Sequence, residues 1–103
     1  MEEWTETELN LAIQWKRTFC LYLYTPMCGT CMVASKMMNV SLELLQELEC
    51  GKMNLNFTQK IAHQYEVESV PCLLLFKNGT LTKKIYAFQS VPYLYEELKK
   101  LNP

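Results

Sequence analysis

The run Phe19-Cys20-Leu21-Tyr22-Leu23-Tyr24-Thr25-Pro26-Met27-Cys28-Gly29-Thr30-Cys31 decides how the chain folds. Its first six residues are apolar or aromatic on both alternating faces, the pattern of a strand inside a sheet that is covered on both sides. Thr25-Pro26 closes that strand, because proline has no amide hydrogen to give a ladder. From Gly29 the residues favour helix, so Cys28 and Cys31 fall where a buried strand hands over to a helix N-terminus. The first amide hydrogens of a helix lack backbone acceptors, and its dipole places roughly half a positive charge there, so an anion is favoured. A thiolate is such an anion. Cysteine pKa values fall from about 8.5 to roughly 3.5–7.5 in settings of this kind, which makes Cys28 the expected nucleophile. Cys31, one turn further in, receives less of this help.

Two residues between the cysteines put their Cα atoms about 5 to 6 Å apart on a helical turn, within the roughly 4.4–6.8 Å a disulfide accepts. A loop of about four residues makes a poor staple, contributing only about 2 kcal/mol in the chain-entropy picture. Reversible redox work is the better reading. Zinc is the main rival, but it usually takes four nitrogen or sulfur ligands, and the chain offers no second CxxC and only His63.

Outward from this junction the pattern alternates. Thr5-x-x-Glu8 is a capping box for a first helix carrying Leu9, Ala12, Ile13 and Lys16 and ending near Thr18. The second helix is expected over 29–49, about 30 Å long, with Val33, Met37, Val40, Leu44, Leu45 and Leu48 as its apolar stripe and Cys50-Gly51 as its stop. A strand is expected over 53–57, a short helix bearing His63 over 59–65, and a buried strand over 70–76. Lys77-Asn78-Gly79-Thr80 reads as the turn to a hairpin partner over 81–87. The last helix spans 91–101, capped by Ser90 with Pro92 in its first turn. The fold class is α/β, with a mixed central sheet of about four strands and helices on both faces.

Composition bounds the function. The chain has 103 residues, half of them hydrophobic, without repeat or linker, so one domain over 1–103 is expected. Ten Lys and Arg against eleven acidic residues, all Glu, give a net charge of -1 and no basic stripe for nucleic acid. No apolar run approaches the ~20 residues of a bilayer span, and the acidic start is unlike a signal peptide, so neither membrane nor export is expected. Five cysteines, an odd number, argue against a disulfide framework and for one reactive pair in a reducing, cytoplasmic setting. Cys20, Cys50 and Cys72 are then ordinary buried thiols. Cys72, next to Pro71, is weighed as a third thiol near the pair, but a strand-core role is favoured. His63 is expected on a solvated helix face. Met27, Met32, Met37, Met38 and Met53 are expected more in the core than on an adaptable surface.

Taken together, Cys28-Gly29-Thr30-Cys31, Val70-Pro71, the strand Leu73-Leu74-Leu75-Phe76 and the turn Lys77-Asn78-Gly79 resemble the thioredoxin family in order and spacing, over nearly the whole chain. The resemblance implies that Cys28 attacks a disulfide, that Cys31 resolves the mixed disulfide, and that Pro71 is a cis proline facing the pair. It also implies that the backbone of Val70 meets substrate and that Lys52 matches the lysine neighbouring the family's buried acid. Gly29 and Thr30 would support the active pair, and Met27, Val70 and Tyr86 would border the substrate groove. Several positions depart from the family. Tyr22 stands where the buried acid belongs, so Cys31 must be deprotonated by another route. Tyr24 and Met27 replace tryptophans, Tyr86 stands in place of a groove glycine, and Lys36 replaces the proline that bends the long helix. Thr30 keeps its amide hydrogen and adds a hydroxyl near the thiolate. The couple is therefore expected to be less reducing than the roughly -270 mV of thioredoxin.

The leading function is thus a thiol–disulfide oxidoreductase acting on protein or small-molecule disulfides, without a bound cofactor. An external reductase or a low-molecular-weight thiol would supply electrons, and a monomer is expected. Two alternatives stay open: a redox-sensing binding module with little turnover, and a metal site shared between two chains through Cys28 and Cys31.

Overall fold

The strand that opens the reading above is the centre of the sheet. A computed structural model describes residues 1–101. Its elements are β1 (Glu2–Glu3), α1 (Glu6–Gln14), β2 (Phe19–Tyr24), α2 (Gly29–Glu43), β3 (Glu49–Asn54), α3 (Gln59–Gln64), β4 (Cys72–Lys77), β5 (Thr80–Ile85) and α4 (Val91–Leu101). Among the described residues the sheet has five strands in the order β1-β3-β2-β4-β5. β1 and β2 run parallel to β3, whereas β4 is antiparallel to β2 and β5 antiparallel to β4. The sheet is mixed, as expected. Its fifth strand, β1, was not anticipated, because two acidic exposed residues carry no strand pattern of their own.

Alternation along β2 sorts the core into two halves. Phe19, Leu21 and Leu23 join Leu74 and Phe76 of β4 beneath Leu9 and Ala12 of α1 and Ile61 of α3. Cys20 and Tyr22 join Leu73 and Leu75 on the other face, beneath Ala34 and Met38 of α2 and Leu94 and Leu98 of α4. Burial of both faces is what made the run apolar throughout.

Local chemistry sets the boundaries. The capping box of α1 is formed: the Glu8 amide donates to Thr5 Oγ1 at 3.2 Å and the Thr5 amide to Glu8 Oε1 at 3.0 Å. The helix stops at Gln14 rather than near Thr18, because Lys16 takes a left-handed conformation with φ 53°. The hairpin turn has positive φ at both Asn78 (52°) and Gly79 (81°), the geometry that matches strand twist in a two-residue loop. In α4 the Tyr93 amide donates to Ser90 Oγ at 3.2 Å, and Pro92 occupies the first turn as expected.

The region after the cysteines differs most from the reading. α2 ends at Glu43 rather than residue 49, and Leu44, Leu45 and Leu48 close it through turns whose amides return to carbonyls three residues back. Its buried side is Cys31, Ala34, Met38 and Ser41, while Val33, Val40 and Leu44 are exposed. The strand expected over 53–57 begins earlier, at Glu49, and incorporates Cys50 and Gly51, which had been read as a helix stop. Gly51 is required there. A Cβ on it would stand 2.2 Å from Trp4 Cδ2, since the indole of Trp4 lies flat against the strand. Trp4 is held by its amide, which donates to the Lys52 carbonyl at 2.8 Å.

Candidate active site

β2 releases the chain at Tyr24, and Thr25-Pro26-Met27 turns it into α2, with the Cys28 amide donating to the Thr25 carbonyl at 3.3 Å. Cys28 is the N-cap of α2: its Sγ accepts the Cys31 amide at 3.1 Å, in the place usually taken by a serine or aspartate oxygen. The sulfur thus sits on the amide tips of the helix, where negative charge is stabilised. Thr30 Oγ1 lies 3.3 Å from the same sulfur and the Val70 carbonyl oxygen 3.8 Å away. Cys28 and Cys31 are joined as a disulfide with their Cα atoms 5.2 Å apart. They differ in access. Cys31 is 4% exposed, whereas Cys28 is only half-buried and follows Met27, which is 94% exposed.

The other expected site residues fall around the pair. The Val70-Pro71 peptide is cis, and both residues are half-buried. Gly29 opens α2 in free space, with no atom within 4 Å of where a Cβ would lie, so packing does not demand glycine there. Tyr86 is turned beneath the loop that leads to Val70. Its hydroxyl accepts from the Glu68 amide at 3.2 Å and donates to the Glu66 carbonyl at 3.4 Å.

Tyr22 is fully buried, and its hydroxyl donates to the Cys31 carbonyl at 2.6 Å. Burial pushes its pKa up to about 12, so it stays protonated at neutral pH and accepts no proton from a thiol. Beside it a cavity of about 330 Å³ reaches the disulfide, lined by Tyr22, Tyr24, Cys28, Cys31, Ser35, Lys36 and Lys52 among others. Lys52 Nζ stands 5.7 Å from the centre of the Tyr24 ring. The Tyr24 hydroxyl donates to Glu3 of β1, and burial together with this bond raises its pKa to about 12. Sequence reasoning did not find Glu3. Nothing in Glu2-Glu3 announces a strand, and only the parallel pairing with β3 brings it to this face.

The remaining cysteines are unpaired. Cys72 is fully buried among Leu23, Leu74 and Phe76, on the sheet face opposite α2, and burial pushes its thiol up to about 11. It is a core residue. Cys20 faces Cys50 in register across β2 and β3, and burial, then its thiol neighbour, push it well above the usual range. His63 is exposed on α3. The methionines divide: Met38 and Met53 are buried, while Met27 and Met32, at 94% and 65% exposure, flank the disulfide on the surface rather than in the core. Among the described residues no group of three or more His, Cys, Asp or Glu is arranged to hold a metal, and no helix is long and apolar enough to cross a membrane.

Comparison with known proteins gives a consistent result. The family model described as Thioredoxin matches residues 1–100. The thioredoxin-like protein YusE of Bacillus subtilis is 50% identical over 82 residues, which is 80% of this chain and 77% of that protein. The thioredoxin of Chlamydia pneumoniae is 29% identical over 73 residues, 71% of this chain and 72% of its own. Among solved structures, a mutant thioredoxin from Halobacterium salinarum superposes with a TM-score of 0.85 at 20% identity, covering 100% of this chain and 90% of that one. The thioredoxin of Trypanosoma brucei brucei gives 0.84 at 12% identity, covering 98% and 88%. These two show the shared fold, and with the family match and the bonded cysteine pair they lead to one conclusion: the chain belongs to the thioredoxin family, with Cys28 and Cys31 as its thiol–disulfide pair.

Proposed function

We propose that this protein is a protein-disulfide reductase in which Cys28 attacks and Cys31 resolves. The observation that carries the reading is the unequal setting of the two sulfurs: Cys28 caps the helix at a half-buried position, while Cys31 is almost wholly enclosed. The Cys28 thiolate attacks one sulfur of a substrate disulfide, and the other leaves as a thiol after protonation. Cys31 then attacks the Cys28 sulfur, the second substrate thiol departs, and the pair is left oxidised. Two electrons return from an external reductase or a low-molecular-weight thiol, as family membership implies in general terms.

Gly29 and Thr30 support the thiolate from the first turn, the hydroxyl of Thr30 at 3.3 Å. Met27 offers a soft exposed contact to substrate, and the backbone of Val70, close to Cys28 Sγ, offers main-chain pairing beside Pro71. Tyr86 borders this groove and braces the loop before it. We place the protein, as a single-domain monomer, in a reducing compartment, a reading supported by its unpaired thiols Cys20, Cys50 and Cys72.

Trapping tests the assignment. In the Cys31→Ser variant, substrate proteins remain linked to Cys28 through a bond that dithiothreitol releases, whereas Cys28→Ser captures none. With dithiothreitol as reductant, the parent reduces a protein disulfide over many turnovers and each single variant loses that activity. Equal capture by both variants would remove the assignment, and a parent limited to one turnover would favour the redox-sensing module instead.

A further inference from the structure

Resolution requires Cys31 to lose a proton while it is enclosed, and the walls of the cavity beside it leave few acceptors. From β2 it is faced by Tyr22 and Tyr24, from α2 by Lys36 and its partner Cys28, and from β3 by Lys52; no carboxylate lines the cavity. The Tyr22 hydroxyl is committed to the Cys31 carbonyl at 2.6 Å. The ammonium groups of Lys36 and Lys52 favour a thiolate by their charge but have no lone pair to receive a proton. Tyr24 alone leads to a base: its hydroxyl donates to the carboxylate of Glu3. The register of β1, β3 and β2 pairs Glu3 with Lys52 and Lys52 with Tyr22, so these side chains share the sheet face that carries α2.

We propose that Glu3, acting through the Tyr24 hydroxyl, accepts the proton that Cys31 releases during resolution. The inference rests on the assignment of Cys28 as attacking and Cys31 as resolving thiol. The Cys31 proton passes through cavity solvent to Tyr24 Oη as Tyr24 passes its own proton to Glu3. The freed electron pair on Cys31 Sγ attacks Cys28 Sγ, and the bond from Cys28 to the substrate sulfur breaks. The substrate leaves as a thiolate and takes the proton back along the same route. Two sulfurs of the protein are oxidised and one substrate disulfide is reduced overall. Glu3 and Tyr24 are positioning residues here, since neither touches the reacting sulfurs.

The test is stopped-flow reaction of the reduced protein with dithiobis(nitrobenzoate), which releases one chromophoric thiol when Cys28 attacks and a second when Cys31 resolves. Release by the Cys28→Ser/Cys31→Ser double variant gives the contribution of Cys20, Cys50 and Cys72 and is subtracted. In Glu3→Gln and Tyr24→Phe the first phase keeps its rate. The second slows by about a hundredfold at neutral pH, the low end of what general-base assistance supplies, and rises in proportion to hydroxide. A second phase that keeps the parent rate and pH profile in either variant overturns the relay. A first phase that survives in Cys28→Ser overturns instead the assignment of Cys28 beneath it.

Discussion

The Tyr22 hydroxyl reaches from β2 into the first turn of α2 and donates to the Cys31 carbonyl at 2.6 Å. A residue at the position of the family's buried acid therefore ties strand to helix without titrating near neutrality. Tyr22→Phe removes this buried hydrogen bond between strand and helix, and a loss of about 1 kcal/mol is expected in denaturant unfolding. The pH profile of the resolving step should be unmoved in this variant. A shifted profile would make Tyr22 part of the proton path.

Alkaline pH should destabilise the fold. Burial raises the Tyr22 pKa from 10.0 to about 12. A group raised in this way favours the folded state fully below its unfolded value, and the advantage is lost as pH climbs through the folded one. Two units correspond to about 2.7 kcal/mol, released between pH ~10 and ~12. Buried Cys72, pushed up to about 11, acts in the same direction. Stability measured by urea titration should be level to about pH 9 and fall beyond it, and the fall should be shallower in Tyr22→Phe.

Thr30 Oγ1, 3.3 Å from Cys28 Sγ, is a donor available to the thiolate. Thr30→Val keeps the shape and removes the hydroxyl. The Cys28 pKa should rise by about half to one unit, and the potential should become more reducing by on the order of 15 to 30 mV. Thiolate absorbance against pH and equilibration with a glutathione buffer read the two shifts. An unchanged pKa would assign the anion's stabilisation to the backbone amides alone.

Gly51→Ala should cost about 2 kcal/mol or more, because its Cβ would lie 2.2 Å from Trp4 Cδ2 and the indole must move. Trp4 is 8% exposed, so its displacement should also redden the tryptophan emission. Full stability with unaltered emission would show that β1 yields freely.

What the sequence made legible depended on how far each element's own residues determine it. β2 alternates between two buried faces and α4 carries its cap and proline, so both match the reading at their boundaries. α2 does not, because hydrophobicity points to Val33, Val40 and Leu44, whereas packing against α4 and the sheet selects the small or slender Ala34, Met38 and Ser41. β3 has little strand character of its own in Glu49-Cys50-Gly51-Lys52, and its extension comes from pairing on both sides and from the Trp4 ring over Gly51. At the site, the cysteine spacing announced its chemistry. The contact of Glu3 with Tyr24 and the cavity by Cys31 are products of chain reversal, and no local pattern encodes them.

Cys72 directly follows Pro71 in the chain, yet its side chain enters the hydrophobic layer on the far side of the sheet from α2. β4 consequently works as a partition. The thiol beside the cis proline is thereby held in a packing layer that the sheet separates from the helix carrying Cys31.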